Sequence, residues 1–374
     1  MSRTWFELDD KCLDSHSLAV RLIDLAIQRG ANRDTLLRGT GIFYQDLQHS
    51  PIKLSPQQLF KLIANAQKQV TSHDLSFLLG RRLFPSNLGI ASQLLSNARH
   101  FNDMLRMVQC FQSVTFPYLH VRVERLTPRS LNTGLSESAH SNKVCQHHDF
   151  HHKNAQQNSA HYDKTYLLIS TAIAESNKDD TTRFFIEMLC AAIHSTFKWQ
   201  LGQSVPIHFY FRFPRPRNIY QYEENLGYRL HFNQPLQMIA IDNSYLTQPM
   251  PDSSELVRKQ QRALCIQARD SQPFQTGLLQ HVRACIQQLP SGSLEEVAEH
   301  MQISPATLKR KLKQHGSQFQ KLQDQVKMQC ALFDLIVRDL GNKEVAQNVG
   351  FSDLANFRRA FKRWTGMTPS EVRG

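Results

Sequence analysis

Two stretches near the carboxyl end carry almost the same pattern: "EVAEHMQISPATLKRKLKQ" at 296–314 and "EVAQNVGFSDLANFRRAFKRW" at 344–364. At a constant offset, Ala298 matches Ala346, Met301 matches Val349, Ile303 matches Phe351 and Ser304 matches Ser352; one extra residue, Asp353, then shifts the register. Beyond it Leu308 matches Phe357 and Leu312 matches Phe361, an (i, i+4) apolar pair in each copy that fixes the buried face of a helix. Each copy therefore reads as a short helix, a tight turn, and a second helix opened by Ser304 or by Ser352-Asp353, whose oxygens can cap the free N–H groups. Ala298 and Ala346 are small, as two closely crossing helices require.

With the apolar pairs inside, the outer face of the first copy carries Ala306, Lys309, Arg310 and Lys313, and that of the second Ala355, Arg358, Arg359 and Lys362. A cationic face on one short helix is as readily a solvated surface as a binding surface. Two matched ones favour binding. Between the copies, "FQKLQDQVKMQCALFDLIVRDL" spaces Phe319, Leu322, Val326, Cys330, Phe333 and Val337 as one helical stripe. Twenty residues of helix span about 30 Å, against roughly 34 Å between successive major-groove faces of B-DNA. The spacing of Trp364 from Phe357 and Phe361 keeps it on the buried side.

The rest of the chain is of a different kind. At 374 residues it exceeds one ordinary core and predicts two or three domains. No apolar run approaches a membrane span, and the charged opening "MSRTWFELDDKCLDSH" lacks the apolar core of an export signal, so a cytoplasmic location is expected. A net charge of +12 favours a polyanionic partner. The seven cysteines are scattered and form no CxxC pair, which predicts that most are buried thiols.

Helical spacing dominates from Leu18 to about Phe116, with Ser55 as N-cap and Pro56 at the first helical position of one helix. After Pro117 the pattern alternates: Leu119, Val121 and Val123 share one strand face, and His120, Arg122 and Glu124 the other. "HFYFRFP" stacks Phe209, Phe211 and Phe213 on one face. If this domain holds a small-molecule pocket, Phe209, Tyr210, Phe211 and Phe213 are candidate walls and Arg212 a candidate anion partner, although an ordinary strand with one buried face accounts for the same pattern. The aromatic and arginine mixture at 211–220 is better read as a strand running into a turn than as a single-strand nucleic-acid binder. The expected fold class is mainly α with a small sheet: a helix-rich α+β domain over 15–250, a connector over 251–274, and an all-α domain over 275–374 of two helix-turn-helix units joined by a long helix.

A polar insertion at 136–163 interrupts the first domain. It holds six of the seventeen histidines, His140, His147, His148, His151, His152 and His161, beside Cys145 and Asp149. Such residues ligate zinc, copper or nickel, but this spacing fits no closed structural site. No metal or other cofactor is therefore assigned.

The stretch from about Gln275 to Arg373 resembles the DNA-binding domain of the AraC/XylS family of bacterial transcription regulators. The resemblance is carried by "GSQFQKLQDQVK" after the first copy and by "EVAQNVGFSDLANFRRAFKRWTGMTPSEVR" from Glu344 to Arg373. Lys327, Asn342 and Val372 depart from the family's usual arginine, aliphatic and aromatic residues, which predicts local loosening around Asn342. Position by position, the resemblance implies base contacts from Ala306, Lys309 and Arg310 in the first unit and from Leu354, Ala355, Arg358 and Arg359 in the second. Lys313, Lys362 and Arg363 are then the phosphate candidates. Residues 78–107 and 226–251 more loosely resemble a branch of that family whose first domain is helix-rich, of the arabinose-binding type, and taken to bind a small molecule.

What the resemblance implies is a sequence-specific regulator of transcription, an effector-responsive activator, with double-stranded DNA, RNA polymerase, an unidentified effector and a second copy of the chain as partners and no membrane. The alternatives are a DNA-repair enzyme or a metal-responsive sensor built on the same DNA-binding domain. Alkylation repair needs clustered cysteines, and no GxSxG, HExxH or P-loop pattern is present. No catalytic residue is assigned.

Overall fold

The computed structural model describes residues 3–15, 18–49, 51–83, 87–126, 163–173, 180–289 and 292–373. The histidine-rich stretch therefore lies outside the described residues, except for Asp163. In chain order the strands are β1 (Trp5–Phe6), β2 (Leu13–Asp14), β3 (Lys53–Leu54), β4 (Leu119–Leu126), β5 (Lys164–Thr171), β6 (His208–Tyr210), β7 (Leu230–His231), β8 (Met238–Asp242) and β9 (Thr276–Gly277).

The early helices form where the spacing predicts. Helix Ala19–Gln28 is followed by Gly30 at φ +89°, and helix Pro56–Gln69 starts on a reciprocal capping box between Ser55 and Gln58. At the centre lies helix Asp180–Leu201, apolar on nearly every side. It packs against helix Leu75–Leu83 so closely that a Cβ on Gly80 would fall 2.1 Å from the Met188 carbonyl oxygen. The buried Glu187 of this helix accepts hydrogen bonds from Ser76 Oγ at 2.6 Å, from Arg183 at 2.8 Å, and from the Tyr222 hydroxyl. A carboxyl group this deep is tolerated because its oxygens are hydrogen-bonded.

Five strands form one sheet in the order β4-β5-β8-β6-β7. β4 pairs antiparallel with β5 over its whole length, from Leu119↔Thr171 to Leu126↔Lys164. Both faces are covered. Leu119, Val121, Leu167, Ile169, Phe209, Ile239 and Ile241 point into the core of the first domain. Leu126, Tyr166, Met238 and Ala240 point the other way, into a second core shared with Phe333, Leu332, Phe357 and Phe361 of the last hundred residues. The sheet is thus the floor on which the all-α part is seated.

That part consists of helices Leu278–Gln288, Leu294–His300, Pro305–Gln314, Phe319–Ile336, Asn342–Asn348, Leu354–Thr365 and Pro369–Arg373. The long helix Phe319–Ile336 lies between the sheet and the second unit, with the Tyr166 and Phe333 rings edge to face at 5.8 Å. Two polar ties flank it: Arg338 reaches Glu124 at 3.3 Å, and Arg283 donates to the Thr171 carbonyl at 2.6 Å. A third contact comes from the chain's beginning. β1 pairs parallel with β9, Trp5 stacks on His281 at 5.1 Å, and Glu7 bridges to Lys311 at 2.6 Å.

Candidate nucleic-acid interface

The two repeats adopt matching geometry. In the first, the turn residue Gln302 takes φ +56°, its N–H bonds to the Glu299 carbonyl at 2.9 Å, and that of Ile303 bonds to the Ala298 carbonyl at 3.0 Å. In the second, Gly350 takes φ +80°, its N–H bonds to the Gln347 carbonyl at 3.0 Å, and that of Phe351 bonds to the Ala346 carbonyl at 2.8 Å. Every one of these residues matches its counterpart at the repeat offset. Left-handed backbone here ends one helix and redirects the chain into the next.

The second helix of each unit is capped as its sequence predicts. Ser304 Oγ accepts from the Thr307 N–H at 3.1 Å with Pro305 at the first helical position, and Asp353 accepts from the Ala355 and Asn356 N–H groups at 3.2 and 3.0 Å. Leu308, Leu312, Phe357 and Phe361 are fully buried. Ala306, Lys309, Arg310 and Lys313 are exposed on the first helix, and Ala355, Arg358, Arg359, Lys362 and Arg363 on the second. Leu354 is half-buried against the second unit's core.

Two of the candidate residues have protein partners. Arg359 donates to Asn356 Oδ1 at 2.8 Å, and Arg363 bridges to Asp324 of the long helix at 3.1 Å. Asn356 is itself exposed, and helical spacing alone gave no reason to select it. Its contact with Arg359 places an amide, the side chain suited to adenine, beside an arginine suited to guanine. Lys311 is turned away from this surface toward Glu7.

Trp364 packs edge-on against Phe351 at 5.9 Å, on the core side. Lys327, one of the departures from the family pattern, holds its ammonium 5.3 Å from the centre of the Phe351 ring and so ties the long helix to the second unit. At Asn342, another departure, the side-chain carbonyl is buried without a hydrogen-bond partner.

In the first domain, Phe209 and Phe211 are fully buried and stacked at 6.4 Å, with Phe213 packed against Phe211 at 4.9 Å. Tyr210 lies on the opposite face, toward the second core. Arg212 alone among the five lines a cleft between the sheet and the helices Leu278–Gln288 and Phe319–Ile336. His120, on the wall of that cleft, is held neutral: burial lowers its pKa to about 4, helped by Arg283 and Arg122.

Comparison with known proteins accords with this geometry. Residues 297–374 match a family described as a helix-turn-helix domain, and residues 30–142 and 138–250 match the arabinose-binding domain of AraC transcription regulators. The two latter stretches meet within the polar insertion. The Ornithine utilization regulator of Pseudomonas aeruginosa is 32% identical over 197 residues, covering 51% of this chain and 57% of that protein. The chain thus spans little more than half the length of that relative. The regulator GadX of Escherichia coli O6:H1 is 32% identical over 79 residues, 21% of this chain and 29% of its own. Among solved structures, the transcriptional regulator CdpR from Pseudomonas aeruginosa aligns over 95% of this chain and 98% of its own, at 18% identity and a TM-score of 0.39. No helix among the described residues is long and apolar enough to cross a membrane. With the family models matching both its helix-rich first domain and its paired helix-turn-helix units, the chain belongs to the AraC family of DNA-binding transcription regulators.

Proposed function

We propose that this chain is an effector-responsive activator that sets its two recognition helices, Pro305–Gln314 and Leu354–Thr365, into successive major grooves of double-stranded DNA. The observation that carries the reading is the duplication itself. Two helices, each capped, each preceded by a left-handed turn and each exposing cations, are joined through one helix of 18 residues, about 27 Å long. A single unit touches too few base pairs to be selective. Two on one strut pool their contacts within one polypeptide.

Base contacts come from Ala306, Lys309, Arg310, Leu354, Ala355, Arg358 and Arg359, and phosphate contacts from Lys313, Lys362 and Arg363. Arg363 must first give up Asp324. The protein acts in the cytoplasm as a homodimer, contacts RNA polymerase, and performs no catalysis. Support for the effector comes from the match of the first domain to the arabinose-binding type and from its seating on the DNA-binding part through the sheet.

The test is selection of bound sites from a random DNA pool by the full chain at two salt concentrations. Recovery of a motif with two half-elements about one helical turn apart is the expected result. Binding that is strong at low salt and has no motif would overturn the reading of the two helices as base readers.

A further inference from the structure

The two recognition helices agree in backbone and caps but differ at one position on the surface they share. Arg310 and Arg359 match in the register that follows Asp353, and both are exposed. Three residues before each stands a different side chain, Thr307 in the first unit and Asn356 in the second. Thr307 is half-buried, with its hydroxyl 2.9 Å from Ser304 Oγ in the helix cap. Asn356 is exposed in the first turn, the third residue of helix Leu354–Thr365, and its Oδ1 accepts from Arg359 at 2.8 Å. The Asp353 carboxylate that opens this helix accepts from the N–H groups of Ala355 and Asn356. The Arg359 guanidinium is thus steadied by a neutral amide.

The hydrogen-bonding capacity of this pair decides what it can read. An amide oxygen has two acceptor sites, and Arg359 fills one of them. The other, together with the Nδ2 donors, is the set that meets N6 and N7 of adenine. Arg359 gives one N–H to Asn356 and keeps enough for O6 and N7 of guanine. Residues three apart on a recognition helix can fall over successive base pairs, and the first turn is the part that reaches the base edges. We propose that Asn356 is a further base-reading residue: beside Arg359 it reads an adenine next to the guanine. Thr307 has no amide with which to do the same beside Arg310, so the two half-elements of the site are unlike. Unlike halves set the direction in which the chain lies along the DNA, which an activator must fix. The proposal rests on the reading of the two helices as base readers and names what the second one selects.

The test selects sites from a random DNA pool with the full wild-type chain, then titrates wild type, Asn356→Ala and Arg359→Ala with single-base variants of that site by fluorescence anisotropy. Both substitutions lie at exposed helix positions where alanine favours the helix, and circular dichroism checks that the variants are folded. Arg359→Ala identifies its guanine as the position where discrimination is lost. At the neighbouring base pair, wild type should prefer adenine about tenfold over the other bases. Asn356→Ala should abolish that preference, weaken the guanine preference by no more than about threefold, and leave the other half-element unchanged. No adenine preference beside a guanine that depends on Arg359, or one that survives Asn356→Ala, overturns the proposal. So does a loss in Asn356→Ala confined to the guanine, which would make the amide a support for Arg359 alone, or a loss spread evenly over all sequences. A wild-type pool that yields no motif overturns the reading of both helices, whereas a motif with the guanine and without the adenine overturns only the role of Asn356.

Discussion

At the scale of single residues, guanidinium and ammonium groups on the recognition helices are expected to act differently on DNA. Arg310 and Arg359 can each make a bidentate contact to guanine, so Arg310→Ala or Arg359→Ala should cost about 1–3 kcal/mol at one base position and relax preference there. Lys362→Ala should weaken all sequences alike and flatten the salt dependence. Competition binding against a panel of single-base variants of the selected site distinguishes the two. Uniform loss across the panel for both arginine variants would remove them as base readers. Asn342 offers a test of stability instead. Its buried carbonyl has no partner at the start of helix Asn342–Asn348, which Gly341 leaves without a side-chain cap. Asn342→Leu removes that desolvated group, and a gain of about 1 kcal/mol in denaturant unfolding is expected.

At the scale of elements, the equivalence of Gln302 and Gly350 shows the repeat reaching into the backbone. Both adopt the left-handed conformation, but a Cβ at Gly350 meets nothing within 4 Å. Gly350→Ala should therefore cost only the backbone penalty, about 1–2 kcal/mol. At Gly80 the same substitution meets the Met188 carbonyl, and the two central helices must part. Gly80→Ala should be the more damaging of the pair, by thermal melting, with a cost of about 3 kcal/mol or more. The contrast also explains what could be read in advance. Recognition helices were legible because amphipathic periodicity, capping residues and duplication all agreed. Helix Asp180–Leu201 gives little periodic signal because it is buried nearly all round, and "YLLI" in β5 and "MIAI" in β8 do not alternate because the sheet is covered on both faces. Strand β4, with polar residues beside the cleft, does alternate and was legible. The cleft that Arg212 lines could not be read in advance, since six of its fifteen lining residues come from helices about seventy residues or more further along.

At the scale of the whole molecule, the first residues of the chain fasten the first helix-turn-helix unit from outside. Glu7 sits between Arg3 and Lys311, each at 2.6 Å, and the Leu8 N–H donates to His315 Nε2 at 3.2 Å. The His315 Nδ1 lies 2.8 Å from the Lys311 carbonyl, and the tautomer with its proton on Nδ1 leaves Nε2 to accept from Leu8. Burial pushes the Glu7 carboxyl up, but Lys311 and Arg3 outweigh it and hold the pKa below the ordinary glutamate value. A carboxyl whose pKa is depressed by folding contributes stability above the unfolded value of about 4.3 and loses it as the pH falls through the lower folded value. Lowering the pH below about 4 should therefore loosen this segment: amide hydrogen exchange at residues 5–8 accelerates relative to the central helix. Glu7→Gln should show the faster exchange already at neutral pH, and its stability deficit of about 1 kcal/mol should shrink as the wild-type carboxyl is protonated. If exchange at Leu8 were equally slow in the variant at neutral pH, the pairing of β1 with β9 and the Trp5 stack would hold the segment without the ion pair.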